Sequence, residues 1–260
     1  MTISNVFAFD IETVPDVEFG RRLHGLEGLS DKQVGYVMQT RQREQTGSEF
    51  LSLEQQRVVA ISVAMRTREG FKAWSLGEPD STEAELVRLF FDAIERFSPT
   101  LVSWNGSGFD LPVLHYRAMR HRVQAHRYWE TGDEEQSFRW NNYLGRFHWR
   151  HIDLMDVLAG YQGRGRVGLD RMALLLGLPG KLGMSGEAVW DAHLEGRSED
   201  IRNYCETDVI NTYLVYLRFE LMRGRLTPEE HDREGPTVRA WLESAGKAHL
   251  AGFAEAWPDR

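Results

Sequence analysis

Asp10 and Glu12 are two acidic residues in the otherwise apolar stretch from Phe7 to Glu12. In an extended strand, residues i and i+2 share a face, so both carboxylates point one way while Ile11 points the other. Side by side at a buried strand end, each raises the cost of ionising the other, and a divalent cation between them removes that cost. A third carboxylate, Asp110, follows an apolar run from Leu101 to Trp104 that reads as a buried strand, and then the turn residues Asn105 to Gly108. Phe109 opens an amphipathic segment with Pro112 in its first turn, so Asp110 sits where a strand hands over to a helix. Taken alone, Asp110 reads as the N-cap of that helix. Tyr204 and Asp208 are four residues apart in a helix expected over 198–218, so they project from one face. By itself that pair is an ordinary half-buried tyrosine beside an exposed aspartate.

None of the three patterns is specific alone. In the order D-x-E, N-x3-F-D and Y-x3-D they resemble the DEDD superfamily of 3′–5′ exonucleases in its tyrosine-bearing branch. The closer resemblance is to stand-alone bacterial exonucleases related to the proofreading domain of family B DNA polymerases. It is carried also by residues 9–15, 103–106, 151–156, 168–181 and 204–213, and runs from about Phe7 to Arg218. The histidine-bearing branch places its residue five positions before the last aspartate; here that position is Asn203, which favours the tyrosine branch.

The resemblance implies a ribonuclease H-like three-layer α/β fold, with a mixed five-stranded sheet and helices on both faces. It implies a metal-dependent exonuclease that hydrolyses phosphodiester bonds at nucleic-acid 3′ ends and releases nucleoside 5′-monophosphates, with single-stranded DNA as the expected substrate. The expected cofactors are two Mg²⁺ or Mn²⁺ ions, hard cations that take oxygen ligands. Asp10, Glu12 and Asp208 are expected to hold one ion, with Asp10 bridging to a second that Asp110 supports, the two about 3.5–4 Å apart. Tyr204 is expected to orient the attacking water, because a phenol with an ordinary pKa of about 10 is a poor general base. Ile11, Thr13, Asn105 and Phe109 are the implied contacts to the terminal nucleotide. An RNA or short-oligonucleotide exonuclease, a non-catalytic nucleic-acid-binding module and a hydrolase of other phosphoesters on the same fold stay open as alternatives.

Composition agrees with such an enzyme. Net charge is −8, which argues against broad nonspecific duplex binding and suits a protein that grips a few nucleotides at an end. The single cysteine, Cys205, excludes an intramolecular disulfide framework and reads as a small helix residue rather than a nucleophile. The N-terminal stretch lacks a signal-peptide pattern and no apolar run reaches membrane-spanning length, so the expected location is cytoplasmic, with no membrane partner.

Periodicity sets out the elements that must position these residues. Strands are expected at 5–11, 58–65, 71–75, 100–104 and 151–154, and helices at 81–97, 111–121, 169–176, 198–218 and 236–251. Thr82 with Glu85 is a capping-box pair, and Ser198 is the expected N-cap of the late helix. The expected organisation is one domain over 1–260, with a core of about 5–220 and a C-terminal helical extension over about 226–260. Two insertions interrupt the core. Residues 16–57 read as a polar, mostly helical excursion. Residues 120–150 interleave Arg120, Arg122, Arg127, Arg139, Arg146 and Arg150 with Tyr128, Trp129, Trp140, Tyr143, Phe147 and Trp149. That mixture suits stacking on unpaired bases and contact to phosphates. It equally suits packing against the body or against a second copy in a homo-oligomer, with Arg at the rim. Asp153 is expected near the site, assisting through water or holding a basic neighbour, and Asp156 to cap or pair at the next helix. His151 reads as structural. The glycine-rich stretch 160–168 lacks a P-loop ending and reads as a flexible loop, from which Arg164 and Arg166 would approach substrate phosphates.

Overall fold

The structure is a computed structural model that describes residues 5–258; the outermost residues of the expected 1–260 domain and 226–260 extension lie outside it. The chain opens with β1 (Val6–Pro15), then α1 (Val17–His24), α2 (Asp31–Thr46), β2 (Gln56–Thr67), β3 (Gly70–Ser75), α3 (Glu83–Phe97), β4 (Thr100–Ser103), α4 (Asp110–His121) and α5 (His126–Trp129). It continues with β5 (His151–Asp153), α6 (Leu154–Leu158), α7 (Leu169–Leu175), α8 (Val189–Leu194), α9 (Ser198–Met222), α10 (Pro228–Ser244) and α11 (Ala248–Ala256).

The five strands form one sheet in the order β3-β2-β1-β4-β5. β1 pairs antiparallel with β2 and parallel with β4, and β4 pairs parallel with β5. Alternation along β1 sorts its side chains. Phe7, Phe9 and Ile11 pack with Leu86, Phe90 and Ile94 of α3 and Leu114 of α4 on one face, while Val6 and Ala8 pack with Val209, Ile210 and Tyr213 of α9 on the other. Asp10 and Glu12 continue the second set. This mixed sheet covered by helices on both faces is the ribonuclease H-like arrangement expected from the resemblance.

The strand and helix expectations hold for most elements, and three local readings need correction. Thr82 closes a capping box with Glu85 as expected. Arg197, not Ser198, is the residue before the first turn of α9, and it makes no side-chain cap. The helix expected at 236–251 is two helices: α10 starts at Pro228 behind the capping box of Thr227 and Glu230, runs through Pro236, and ends at Ser244 before α11 begins. A proline at the first helical position with a good cap outweighs the later proline as a start signal. β1 also runs four residues past its expected end, because the long β2 stays paired with it through a register shift between Glu12 and Thr13.

Candidate active site

β4 pairs with β1 only from Val6 to Ala8 and stops at Ser103, so the second half of β1 is left without a strand on that side. The chain turns there. Asn105 adopts a left-handed backbone, with φ 69°, and its carbonyl accepts from the N–H groups of Gly108 and Phe109. Gly106 packs so closely on Ser103 that a Cβ would stand 2.3 Å from its Oγ, which is why this turn needs glycine. Asp110 then begins α4 as its first residue, after Phe109, so it is not the N-cap that its local sequence suggests. Its Oδ1 accepts from the backbone N–H of Ile11 at 3.2 Å. The carboxylate thus takes the place of the next β4 carbonyl and is held beside Asp10 and Glu12.

α9 supplies the opposite wall. From Ile201 to Leu217 it is buried nearly all round, against the sheet and beneath α10. Tyr204, Cys205 and Asp208 face β1 from this helix. The carboxylates of Asp10 and Glu12 and the Cys205 sulfur offer donor atoms that all lie within 4.8 Å of one another. Cys205 Sγ donates weakly to the Asp10 carbonyl and carboxylate, and burial pushes its thiol well up, so it stays protonated.

The four acids feel one another's charge. Burial raises Asp10 well above the usual carboxylate range, and Asp110, Glu12 and Asp208 push it further. Burial likewise raises Glu12, Asp208 adds to the rise, and Lys181 opposes it. Burial lifts Asp110 to about 7, against the pull of its own N–H and that of Ile11, with Asp153 contributing upward. It lifts Asp208 to about 6, against Lys181 and the Tyr204 hydroxyl. Asp208 Oδ1 is buried with no hydrogen-bond partner among the described residues. Clustered carboxylates, a donor set of oxygens and one orphaned buried oxygen fit a hard divalent cation, because a cation supplies both the missing partner and the missing charge.

Tyr204 is held by Lys181, whose Nζ donates to its phenol oxygen at 2.7 Å and stands 4.0 Å from Asp208 Oδ2. Burial and the surrounding carboxylates push the phenol up, so it remains a phenol. Lys181 was not singled out by sequence. It ends the family-like stretch 168–181, but nothing local ties it to a tyrosine on another helix.

The other expected site residues fall around this centre. Ile11 spends its N–H on Asp110, and Thr13 Oγ1 donates to Gln56 Oε1 at 2.8 Å. Phe109 immediately precedes Asp110, with its ring 5.3 Å from that of Phe50, an exposed residue of the 16–57 excursion. Asp153 lies near the site, and its charge reaches both Asp110 and His151. It accepts from the N–H groups of Asn105 and Ser107, both at 2.9 Å, and caps α6, so it anchors the turn. Asp156 pairs as expected, with Arg146 and Arg166. His151 bonds Ser103 Oγ at 2.9 Å in a structural role. The 120–150 insertion divides: Tyr128, Phe138 and Tyr143 are core, whereas Trp129, Trp140, Phe147 and Trp149 are exposed. Among the described residues, no helix is long and apolar enough to cross a membrane.

A family model described as a predicted 3′–5′ exonuclease related to the exonuclease domain of PolB matches residues 48–257. The matched interval contains Asp110, Lys181, Tyr204 and Asp208 and begins after β1, so Asp10 and Glu12 lie outside it. No curated protein matches the chain.

Proposed function

The chain belongs to the family of predicted 3′–5′ exonucleases related to the exonuclease domain of PolB, and from that premise we propose that it removes nucleotides from single-stranded DNA 3′ ends by divalent-metal-dependent hydrolysis at the carboxylate cluster. The observation that carries this reading is that Asp10, Glu12, Asp110 and Asp208 are brought near enough to act on one another, with Asp208 Oδ1 buried and unpartnered among the described residues. The order of these residues and the placement of Tyr204 four positions before Asp208 support a place in the tyrosine-bearing branch of the DEDD superfamily.

Asp10, Glu12 and Asp208 would hold one Mg²⁺ or Mn²⁺, and Asp10 with Asp110 a second. When bound, such ions neutralise the cluster, acidify a water and stabilise the charge that develops on the attacking and leaving oxygens. The chain's own residues do the positioning. Tyr204, kept protonated, orients the attacking water through its hydroxyl. Lys181 fixes that hydroxyl and tempers the negative charge around it. Phe109, with Asn105 setting its turn, offers a ring face to the terminal base, and base stacking on aromatic rings accepts any unpaired base. The phosphorus bond to the 3′-oxygen of the preceding nucleotide breaks, that oxygen leaves as a new 3′-hydroxyl, and the product carries its phosphate on the 5′ side.

The test is digestion of 3′-labelled single-stranded DNA, RNA and mismatched duplex with Mg²⁺ or Mn²⁺. Release of labelled 5′-monophosphate, fastest from single-stranded DNA, is expected. Preference for RNA would move the substrate assignment, and intact substrates throughout would end the reading.

A further inference from the structure

β1, β4 and β5 run parallel, so their C-terminal ends share one edge of the sheet. The carboxylate cluster occupies that edge at β1. Two strand spacings away, about 10 Å, a cavity of about 350 Å³ opens at the ends of β4 and β5. Ser107 and Gly108, from the turn that delivers Asp110, form one of its walls, so cavity and cluster adjoin across a single loop.

Three features of this cavity have no part in the chemistry described above. First, Asp156 is buried and gathers two guanidinium groups: Arg146 Nε and Nη2 donate to its oxygens at 2.9 and 3.0 Å, and Arg166 Nη2 donates to Oδ1 at 3.1 Å. The arginine side chains remain 52% and 40% exposed, so most of their donors face outward. One carboxylate between two arginines leaves a net positive charge and offsets the repulsion that would otherwise drive the pair apart. Such an arrangement is preorganised for an anion with several oxygens. Second, Tyr161 has φ 61°, a left-handed backbone that a bulky side chain adopts only when its surroundings enforce it. The strain places its ring beneath Arg146, 5.1 Å from ring centroid to guanidinium carbon, and against the edge of Phe147. Third, His115 lines the cavity with a buried Nε2 that has no hydrogen-bond partner among the described residues.

We propose that this cavity is the subsite for the nucleotide preceding the one removed, with Arg146 and Arg166 on its phosphate and Tyr161 against its base. The inference rests on the exonuclease reading and deepens it. It assigns to one place an arginine from the 120–150 insertion and another from the glycine-rich loop. A single strand suits the site, because a base already paired and stacked offers no free face for Tyr161.

Two variants test it. Arg166→Ala leaves Asp156 with its two bonds from Arg146, and Tyr161→Asn removes the ring at a backbone position asparagine tolerates. Affinity for a fluorescein-labelled oligothymidylate is read by anisotropy in the Asp10→Asn background, where digestion should stop. Each variant should lose about tenfold in affinity. Arg166→Ala should also flatten the slope of log K against log salt by about 0.7, the share of one phosphate contact on a single strand. With Asp10 intact, kcat/KM for the oligonucleotide relative to thymidine 5′-(4-nitrophenyl phosphate), in which a nitrophenyl group with no phosphate of its own replaces the preceding nucleotide, should fall for Arg166→Ala by the same factor. Tyr161→Asn should melt no lower than the unsubstituted protein, which separates a binding role from a packing one. Unchanged affinity in both variants, with slope and substrate ratio unchanged in Arg166→Ala, would overturn the subsite while leaving the exonuclease reading in place. An unsubstituted protein that neither binds nor digests oligonucleotides would overturn both.

Discussion

Lys181 donates from Nζ to the phenol oxygen of Tyr204 at 2.7 Å and stands 4.0 Å from Asp208 Oδ2. The contact joins an irregular segment between α7 and α8 to the helix that carries two of the site residues. It places a cation that lies against Asp208 directly on the group proposed to position water.

Replacing Lys181 with Met keeps the length of the side chain and removes the donor. A hydrogen bond to a charged group contributes about 1.5–3 kcal/mol, so kcat on single-stranded DNA should fall about 10- to 100-fold. Steady-state rates at saturating substrate check this, and wild-type rates would take Lys181 out of the site.

Tyr204→Phe removes the hydroxyl and keeps the ring that packs against Val14 and Ile201. Hydrolysis should slow by about tenfold or more, with KM and thermal stability little changed. A variant as fast as the parent would leave water positioning without its proposed residue.

The carboxylate cluster costs stability in the absence of cations, because burial and like charge oppose ionisation at all four acids. Asp208→Asn should therefore raise the melting temperature in EDTA. Saturating Mn²⁺ should raise that of the unsubstituted protein by several degrees, since ligand at about 100 times its Kd adds about 2.7 kcal/mol. The Asn variant should lose most of that response. Calorimetric scans with EDTA and with Mn²⁺ give all the required values, and equal Mn²⁺ responses would count against the ligand assignment.

Arg117 on α4 ties the helix that begins with Asp110 to the end of the strand that carries Asp10 and Glu12. Its guanidinium donates to Asp16, one residue past β1, and to Glu83, whose other oxygen accepts from the N–H of Val58 on β2. Arg117→Met leaves buried Asp16 with only Arg120, 3.9 Å away, and buried Glu83 with His121, and should cost about 3 kcal/mol. Burial alone would raise Asp16, but the N–H of Phe19 and then Arg117 hold its carboxyl below the ordinary range. A lowered folded-state pKa stabilises at pH above the unfolded value, about 3.9, and that stability is lost as pH falls through the lower folded value. Denaturant midpoints at neutral pH and at about pH 3 should show a smaller acid loss in Arg117→Met than in the parent.

What was legible in the sequence follows from the range of the interactions involved. The alternation of Phe7, Phe9 and Ile11 with Asp10 and Glu12 is local, and it fixed both the strand and the side its acids take. The capping box of Thr82 and Glu85 is local too. Asp110 taken alone reads as a cap, because the partner that places it, the Ile11 N–H, lies 99 residues away. The same holds for Lys181, whose partner Tyr204 is on another helix, and for Asp153, whose oxygens meet a turn 46 to 48 residues earlier. In the 120–150 insertion, composition alone gave no means to tell Tyr128 and Tyr143, which stack on each other in the core, from the exposed Trp140 and Phe147. Pro236 shows the opposite error, a strong local signal overridden by a better helix start eight residues earlier.

The most direct measurement is a time course on a 5′-labelled single-stranded DNA oligonucleotide with Mg²⁺ or Mn²⁺, run with the unsubstituted protein and with Asp10→Asn. A ladder of labelled products shortening one nucleotide at a time is expected for the first, stopped by EDTA, and full-length substrate for the second. The same ladder from Asp10→Asn, or no ladder from the unsubstituted protein, would contradict metal-dependent hydrolysis at the carboxylate cluster.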